Sequence, residues 1–225
     1  MNFVQRIDGP VAVKRAIISV YDKSGLDELV PALVRIVPDI RIYSTGGTYA
    51  AIERILGDDS PRNLTAVSEY TGQPEMQGGL VKTLDFKIYL GLLSETYNRE
   101  HSADLERAGA APIDMVVVNL YPFQRVSSGA EADLERSRAN IDIGGPCMIR
   151  AAAKNFHRVA AVTDPADYSR VLGELDGSGG RLSVQTRFEL AQKAFGHTAA
   201  YDAAVADYLA KRTAADIRSV YRIES

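Results

Sequence analysis

The 225-residue chain is long enough for one large domain or two small ones, and its 46% hydrophobic and 24% charged residues are an ordinary globular composition. A net charge of −3 gives no basic footprint for nucleic acid, and the single Cys147 excludes an intrachain disulfide and fits a reducing, cytoplasmic setting. No apolar run approaches the roughly 18 residues that cross a bilayer, Met1 to Gly9 lacks the apolar core of a secretory leader, and His101, His157 and His197 have no metal-ligand spacing.

The first run, Arg15-Ala-Ile-Ile-Ser-Val-Tyr21, is β-branched and apolar, the pattern of a buried parallel strand. It ends in Asp22-Lys23-Ser24-Gly25. Leu26, Leu29, Val30 and Leu33 then recur at helical spacing, with Ser24 as the expected N-cap. A second strand, Ile40 to Tyr43, runs into Ser44-Thr-Gly-Gly-Thr48 and a helix carrying Ala50, Ile52 and Ile55. Leu64 to Val67 is a short third strand, followed by a loop from Ser68 to Gly79.

Asp114-Met-Val-Val-Val-Asn-Leu120 is the clearest strand and, being continuously apolar, is expected at the centre of the sheet. A charged helix is expected from Glu131 to Arg138, a turn over Ile141 to Pro146, and an Ala-rich helix from Met148 to Asn155. Arg158 to Thr163 is another strand, Pro165 opens a helix at a favoured position, and Ser183 to about Arg212 is helical in pattern. The last dozen residues read as a loosely held tail. Alternating strands and helices predict a single α/β domain over 1–225. It has a three-layer, doubly wound, mostly parallel sheet over about 12–180 and a C-terminal helical extension over about 183–212. Ligands of such sheets sit beyond the carboxyl ends of the strands.

Ser44-Thr-Gly-Gly-Thr48 has the parts of a phosphate site at a strand-to-helix turn. Gly46 and Gly47 permit close backbone approach, Thr45 and Thr48 offer hydroxyls, and the helix start presents N–H groups. The plainer alternative is a tight capped turn. Lys23, ending the neighbouring strand, tips the reading toward an anion.

Ser19-Val-Tyr-Asp-Lys23, Ser44 to Thr48, Pro74-Glu-Met76, Val81-Lys-Thr-Leu84, Asn119-Leu-Tyr-Pro-Phe123, Ile141-Asp-Ile-Gly-Gly145, Arg150-Ala-Ala-Ala-Lys-Asn155 and His197-Thr-Ala-Ala-Tyr-Asp202 follow one another in order. Over roughly residues 12 to 210 this series resembles the IMP cyclohydrolase domain of the bifunctional purine-biosynthesis enzyme that also formylates aminoimidazole carboxamide ribotide. The resemblance implies a methylglyoxal-synthase-like fold and ring closure of 5-formamidoimidazole-4-carboxamide ribotide to IMP with loss of water. It implies neither cofactor nor metal.

Carried onto this chain, the resemblance marks Lys82, Tyr121, Asp142 and Lys154 as catalytic. Asp142 would accept a proton from the attacking amide, and Lys82 or Tyr121 would donate to the formyl oxygen. Lys154 and the N–H groups near Gly144 and Gly145 would steady negative charge. It also marks Lys23, Thr45, Gly46, Gly47 and Thr48 as substrate- or phosphate-contacting, with Val81, Thr83, Asn119, Ile143 and Gly144. Each has a plainer reading: Lys154 as a solvated helix charge, Asp142 as a turn or cap residue, Tyr121 as core. His197 reads as a packing histidine, and Cys147 as a small buried side chain.

Several positions depart from the family pattern. Leu80 replaces an arginine, Asp85-Phe86 replaces His-Pro, Tyr89-Leu90-Gly91 replaces His-Gly-Gly, and Tyr21 stands where a small serine is common. A leucine cannot replace a bidentate cation, and Asp85 would bring negative charge toward a phosphate. Two readings follow: an active cyclohydrolase whose ligand shell is rebuilt, with Arg62 or Arg150 compensating, or a catalytically weakened nucleotide- or phosphate-binding regulatory relative. A methylglyoxal synthase is a third and weaker reading, since no Asp and His pairing for enolising a triose phosphate is seen. The family's formyltransferase half is not in this sequence, so the expectation is a monofunctional chain supplied by a separate formyltransferase. A homodimer is the default assembly, with no nucleic acid or membrane partner.

Overall fold

A computed structural model describes residues 3–74, 82–128 and 132–224. Leu80 and Val81, with Glu75, Met76, Gly79 and Glu131, lie outside the described residues. Five strands form one parallel sheet: β2 (Arg15–Val20), β3 (Arg41–Ser44), β4 (Leu64–Ala66), β5 (Met115–Asn119) and β6 (Ala160–Val162), in the order β4-β3-β2-β5-β6. β1 (Val11–Ala12) and β7 (Arg181–Leu182) make a separate antiparallel ribbon. The strands are runs of Ile, Val and Ala because helices cover both faces. β5 is interior as expected, but the central place belongs to β2.

Successive residues of each strand feed opposite layers. Ile18, Val117 and Val162 face one core with Leu29, Leu33, Ile52, Val171 and Leu175. These come from α1 (Leu26–Ile36), α2 (Gly46–Leu56) and α10 (Tyr168–Ser178). Ile17, Val116 and Ala161 face the other core with Ile88, Leu92, Met148, Ile149, Ala152 and Ala194. These come from α5 (Phe86–Leu93), α9 (Gly144–Lys154) and α11 (Val184–Ala210). The period-two alternation thus builds the three layers. Among the described residues no helix is long and apolar enough to cross a membrane.

Several local expectations differ from the structure. Ser24 does not cap α1; it binds Asp22 Oδ1, and Gly25 at φ 74° is the N-cap. In α2 it is Thr48, Ala51 and Ile52 that are buried, while Ala50 is exposed. The loop after β4 begins as α4 (Val67–Thr71), and the turn expected through Pro146 is instead the first turn of α9. The charged stretch is helical only as α8 (Leu134–Ala139). The tail contains α12 (Ala214–Val220), begun by a Thr213/Asp216 capping box and tied to α8 through Tyr221 and Glu135. α3 (Ser60–Asn63), α6 (Arg99–Ala108) and α7 (Phe123–Ser127) are the remaining α-helices among the described residues.

Candidate active site

The chain winds from β2 to β3 and β4 on one side and returns to β5 and β6 on the other. The winding direction therefore reverses between β2 and β5, and a crevice opens at their carboxyl ends. A cavity of about 390 Å³ lies there, lined by Ser19 to Tyr21, Thr45, Lys82 to Leu84, Val118, Asn119, Tyr121, Ala139, Ile141 to Gly145 and Met148. Lys82, Tyr121 and Asp142, drawn from three separate sequence blocks, thus share one chamber.

The glycine turn is shaped around two amines. Gly46 has φ 50°, a conformation that penalises any β-carbon, and such a carbon would stand 3.1 Å from Lys82 Nζ. One at Gly47 would stand 3.9 Å from Lys23 Nζ. Thr45 begins α2 without a side-chain cap, which leaves its hydroxyl out of the helix. Two ammonium groups and a helix N-terminus therefore meet at one corner, an arrangement suited to a phosphate. Thr48 does not join it: its hydroxyl, buried, donates to Val20 O and accepts from Val20 N–H.

Across the cavity, the start of α9 presses against the segment holding Lys82. A β-carbon at Gly144 would lie 2.7 Å from Thr83 Oγ1, and one at Gly145 would collide with the Asp142 carboxylate, so a side chain at either position would have to displace a cavity residue. Asp142 Oδ1 accepts from Gly145 N–H at 2.9 Å, and Tyr201 Oη accepts from the Asp142 N–H. Burial pushes the Asp142 carboxyl above its ordinary range, against the pull of that Gly145 N–H. The Tyr121 hydroxyl is also held above its ordinary value, first by the neighbouring Tyr21 hydroxyl. Asn119 spends its side chain on the loop after β2, accepting from Tyr21 and Asp22 N–H and donating to Asp22 O. It is a brace at the cavity edge. Ile143 is exposed at the mouth.

Lys154 is not brought into this chamber. It is the last residue of α9, about 15 Å along the axis from Gly144, and it is exposed. Asp85 does not threaten the phosphate corner, because its carboxylate caps α5 by accepting from Lys87 N–H at 2.7 Å. Arg62 pairs with Asp39, and Arg150 lies over Phe195, so neither lines the cavity. The cation that sequence reasoning missed is Arg125, on α7. With Tyr21, Asp22 and Lys23 it lines an adjoining cleft of about 700 Å³. Its signal was its place close behind Tyr121, in the helix that follows Pro122. Tyr89 is half-buried beside Cys147 and Asp142, where burial pushes its hydroxyl well up. His197 lies away from the cavity, and its imidazole is pushed down by burial.

Comparison with known proteins gives a consistent set. The MGS-like domain model matches residues 25–147, and the AICARFT/IMPCHase bienzyme model matches residues 152–224. The bifunctional purine biosynthesis protein PurH of Ruminiclostridium cellulolyticum is 46% identical over 197 residues, 88% of this chain and 37% of that protein. PurH of Neisseria meningitidis is 44% identical over 198 residues, 88% of this chain and 36% of that protein. This chain therefore spans little more than a third of these relatives. A solved structure described as the crystal structure of ForH superposes with a TM-score of 0.71 at 34% identity, covering 87% of this chain and 98% of that one.

Proposed function

The chain belongs to the MGS-like domain family, and we propose that its sheet-end cavity is an IMP cyclohydrolase site acting on 5-formamidoimidazole-4-carboxamide ribotide. The observation that carries this reading is the meeting of Lys82, Tyr121 and Asp142 in one cavity beside a glycine turn flanked by two lysine amines. The names of the PurH relatives, which describe purine biosynthesis, support it from outside the geometry.

In this reading Lys23, Thr45 and the Gly46-Gly47 backbone hold the ribotide phosphate. The imidazole reaches across to Asp142 and Tyr121. The carboxamide nitrogen attacks the adjacent formyl carbon, forming the new C–N bond. Asp142, made more basic by burial, accepts a proton from that nitrogen. Lys82 or Tyr121 donates one proton to the formyl oxygen and Asp142 returns the other, so the carbon–oxygen bond breaks and the oxygen departs as water. The imidazole-side amide nitrogen gives up its own proton to the group that donated first, which restores that donor and leaves the ring aromatic. Backbone N–H groups at the start of α9 face the negative charge that builds on the oxygen. Both reacting groups sit on one substrate, so positioning asks less of the protein than in a bimolecular reaction. Lys154 has no part in this chamber.

The test is to supply the formamido ribotide and follow IMP by its ultraviolet absorbance. Turnover well above the spontaneous rate is expected. Tight ribotide binding without turnover would overturn the enzymatic reading and leave a binding protein.

A further inference from the structure

We propose that Tyr21 is a positioning residue of the ring-closing site, its ring packed edge to face on Tyr121 so that the Tyr121 hydroxyl is held in the cavity. This rests on the cyclohydrolase reading for its consequence, though not for its geometry. The two rings meet edge to face, with centroids 4.2 Å apart and an interplanar angle of 68°, a favoured arrangement for an aromatic pair. Both rings line the cavity. They leave the ends of adjacent strands: Tyr21 directly follows β2, and Tyr121 comes two residues after the end of β5.

The base of the pair is rigid. Asn119 accepts from the N–H groups of Tyr21 and Asp22 at 2.8 and 2.9 Å and donates to Asp22 O at 2.9 Å. The end of β5 thereby clamps the very backbone that carries Tyr21. The Tyr21 side chain is nonetheless 45% exposed, so core packing does not account for so large a ring. What it touches is Tyr121. It also forms the wall between the cavity and the adjoining cleft that holds Lys23 and Arg125.

The chemistry matches the placement. The Tyr21 hydroxyl is the first influence favouring the neutral form of Tyr121, so the proton that a donor to the formyl oxygen must supply is retained there. Arg125 acts the opposite way by favouring tyrosinate, and Lys82 and Asp142 face the same cavity. Tyr21 need not touch the substrate to act. It sets where the Tyr121 hydroxyl points and keeps it charged with its proton.

The experiment joins a titration with kinetics on the full chain. Tyrosines are labelled with carbon-13 at Cζ, and the Tyr121 resonance is assigned by its loss in Tyr121→Phe. In Tyr21→Phe, which keeps the ring edge, the Tyr121 midpoint is expected to move down toward the ordinary tyrosine value. The kcat for ribotide cyclisation is expected to fall roughly 3- to 10-fold, the scale of one hydrogen bond, while KM stays near wild type. Tyr21→Leu, which also loses the ring, should lower kcat further. An unmoved Tyr121 midpoint in Tyr21→Phe would overturn the proposal, as would a moved midpoint with unchanged kcat. If wild type converts no ribotide, the cyclohydrolase reading falls, and the titration alone decides the contact.

Discussion

Asp114 and Asp142 are aspartates at opposite ends of the same sheet, and their surroundings divide them into a strut and a base. Asp114 precedes β5 at the amino end. Its Oδ2 accepts from the N–H groups of Lys14 and Arg15 at 2.9 and 3.0 Å, and its Oδ1 accepts from Arg158 at 3.0 Å. Arg158 is itself buried and donates further to the carbonyls of Ser94, Ile113 and Gly91. Each of these donors is committed to a fixed acceptor. Asp142, at the carboxyl end, has the Gly145 N–H behind it and the cavity in front. Burial pushes both carboxyls upward, but an arginine and two N–H groups pull Asp114 back, and Gly145 alone pulls back Asp142. A carboxylate locked by fixed donors cannot take a proton without breaking them. One held by a single N–H, as Asp142 is, can.

The sharpest way to break this contrast is to replace both aspartates by asparagine. Asp142→Asn keeps the volume and an acceptor for Gly145 but loses the base. Its kcat should fall roughly 10²- to 10⁴-fold, with thermal unfolding near wild type. In wild type the rate should also fall as pH drops through the raised Asp142 value, because the base works ionised, and that acid limb should vanish in the variant. An Asp142→Asn enzyme of normal rate would remove Asp142 from the mechanism. Asp114→Asn should do the reverse. It leaves the Arg158 charge buried without its partner, and denaturant unfolding should report a loss of roughly 3–5 kcal/mol. Activity per folded molecule should persist. A stable Asp114→Asn protein would show that the three carbonyls satisfy Arg158 without the carboxylate.

The sheet was legible in the sequence because parallel strands buried on both faces must be continuous β-branched runs, and Arg15 to Val20 and Met115 to Asn119 are such runs. The glycine turns were legible too, since Gly46 needs its left-handed backbone and a β-carbon at Gly144 or Gly145 would crowd Thr83 or Asp142. What escaped lay in three dimensions or in short polar signals. The Thr48 hydroxyl looked available until it folded onto Val20. Asp85 looked like a misplaced charge and is an N-cap. The capping box of α12 and the Asn98 cap of α6 were present in the sequence as readable signals and were passed over. Tyr21 and Tyr121 are a hundred residues apart in the chain, and only the pairing of β2 with β5 brings them together.

Lys82 and Lys154 extend the same comparison to lysines and carry the smallest expected effect. Motif order alone ranked them equally, but the ranking depends on where α9 begins. Because the helix opens at Gly144, its first turn borders the cavity, and Lys154 is carried about 15 Å away toward the amino end of the sheet. Lys82 keeps its amine beside Gly46. Lys154→Ala removes an exposed helix charge, so stability should change by no more than about 0.5 kcal/mol. Its kcat/KM should stay within about twofold, the same energy expressed as a rate. Lys82→Ala should lose far more in the same assay. A Lys154→Ala enzyme as impaired as Lys82→Ala would mean that Lys154 reaches a ring-closing site by a route that the single chain does not contain, with a second copy supplying it.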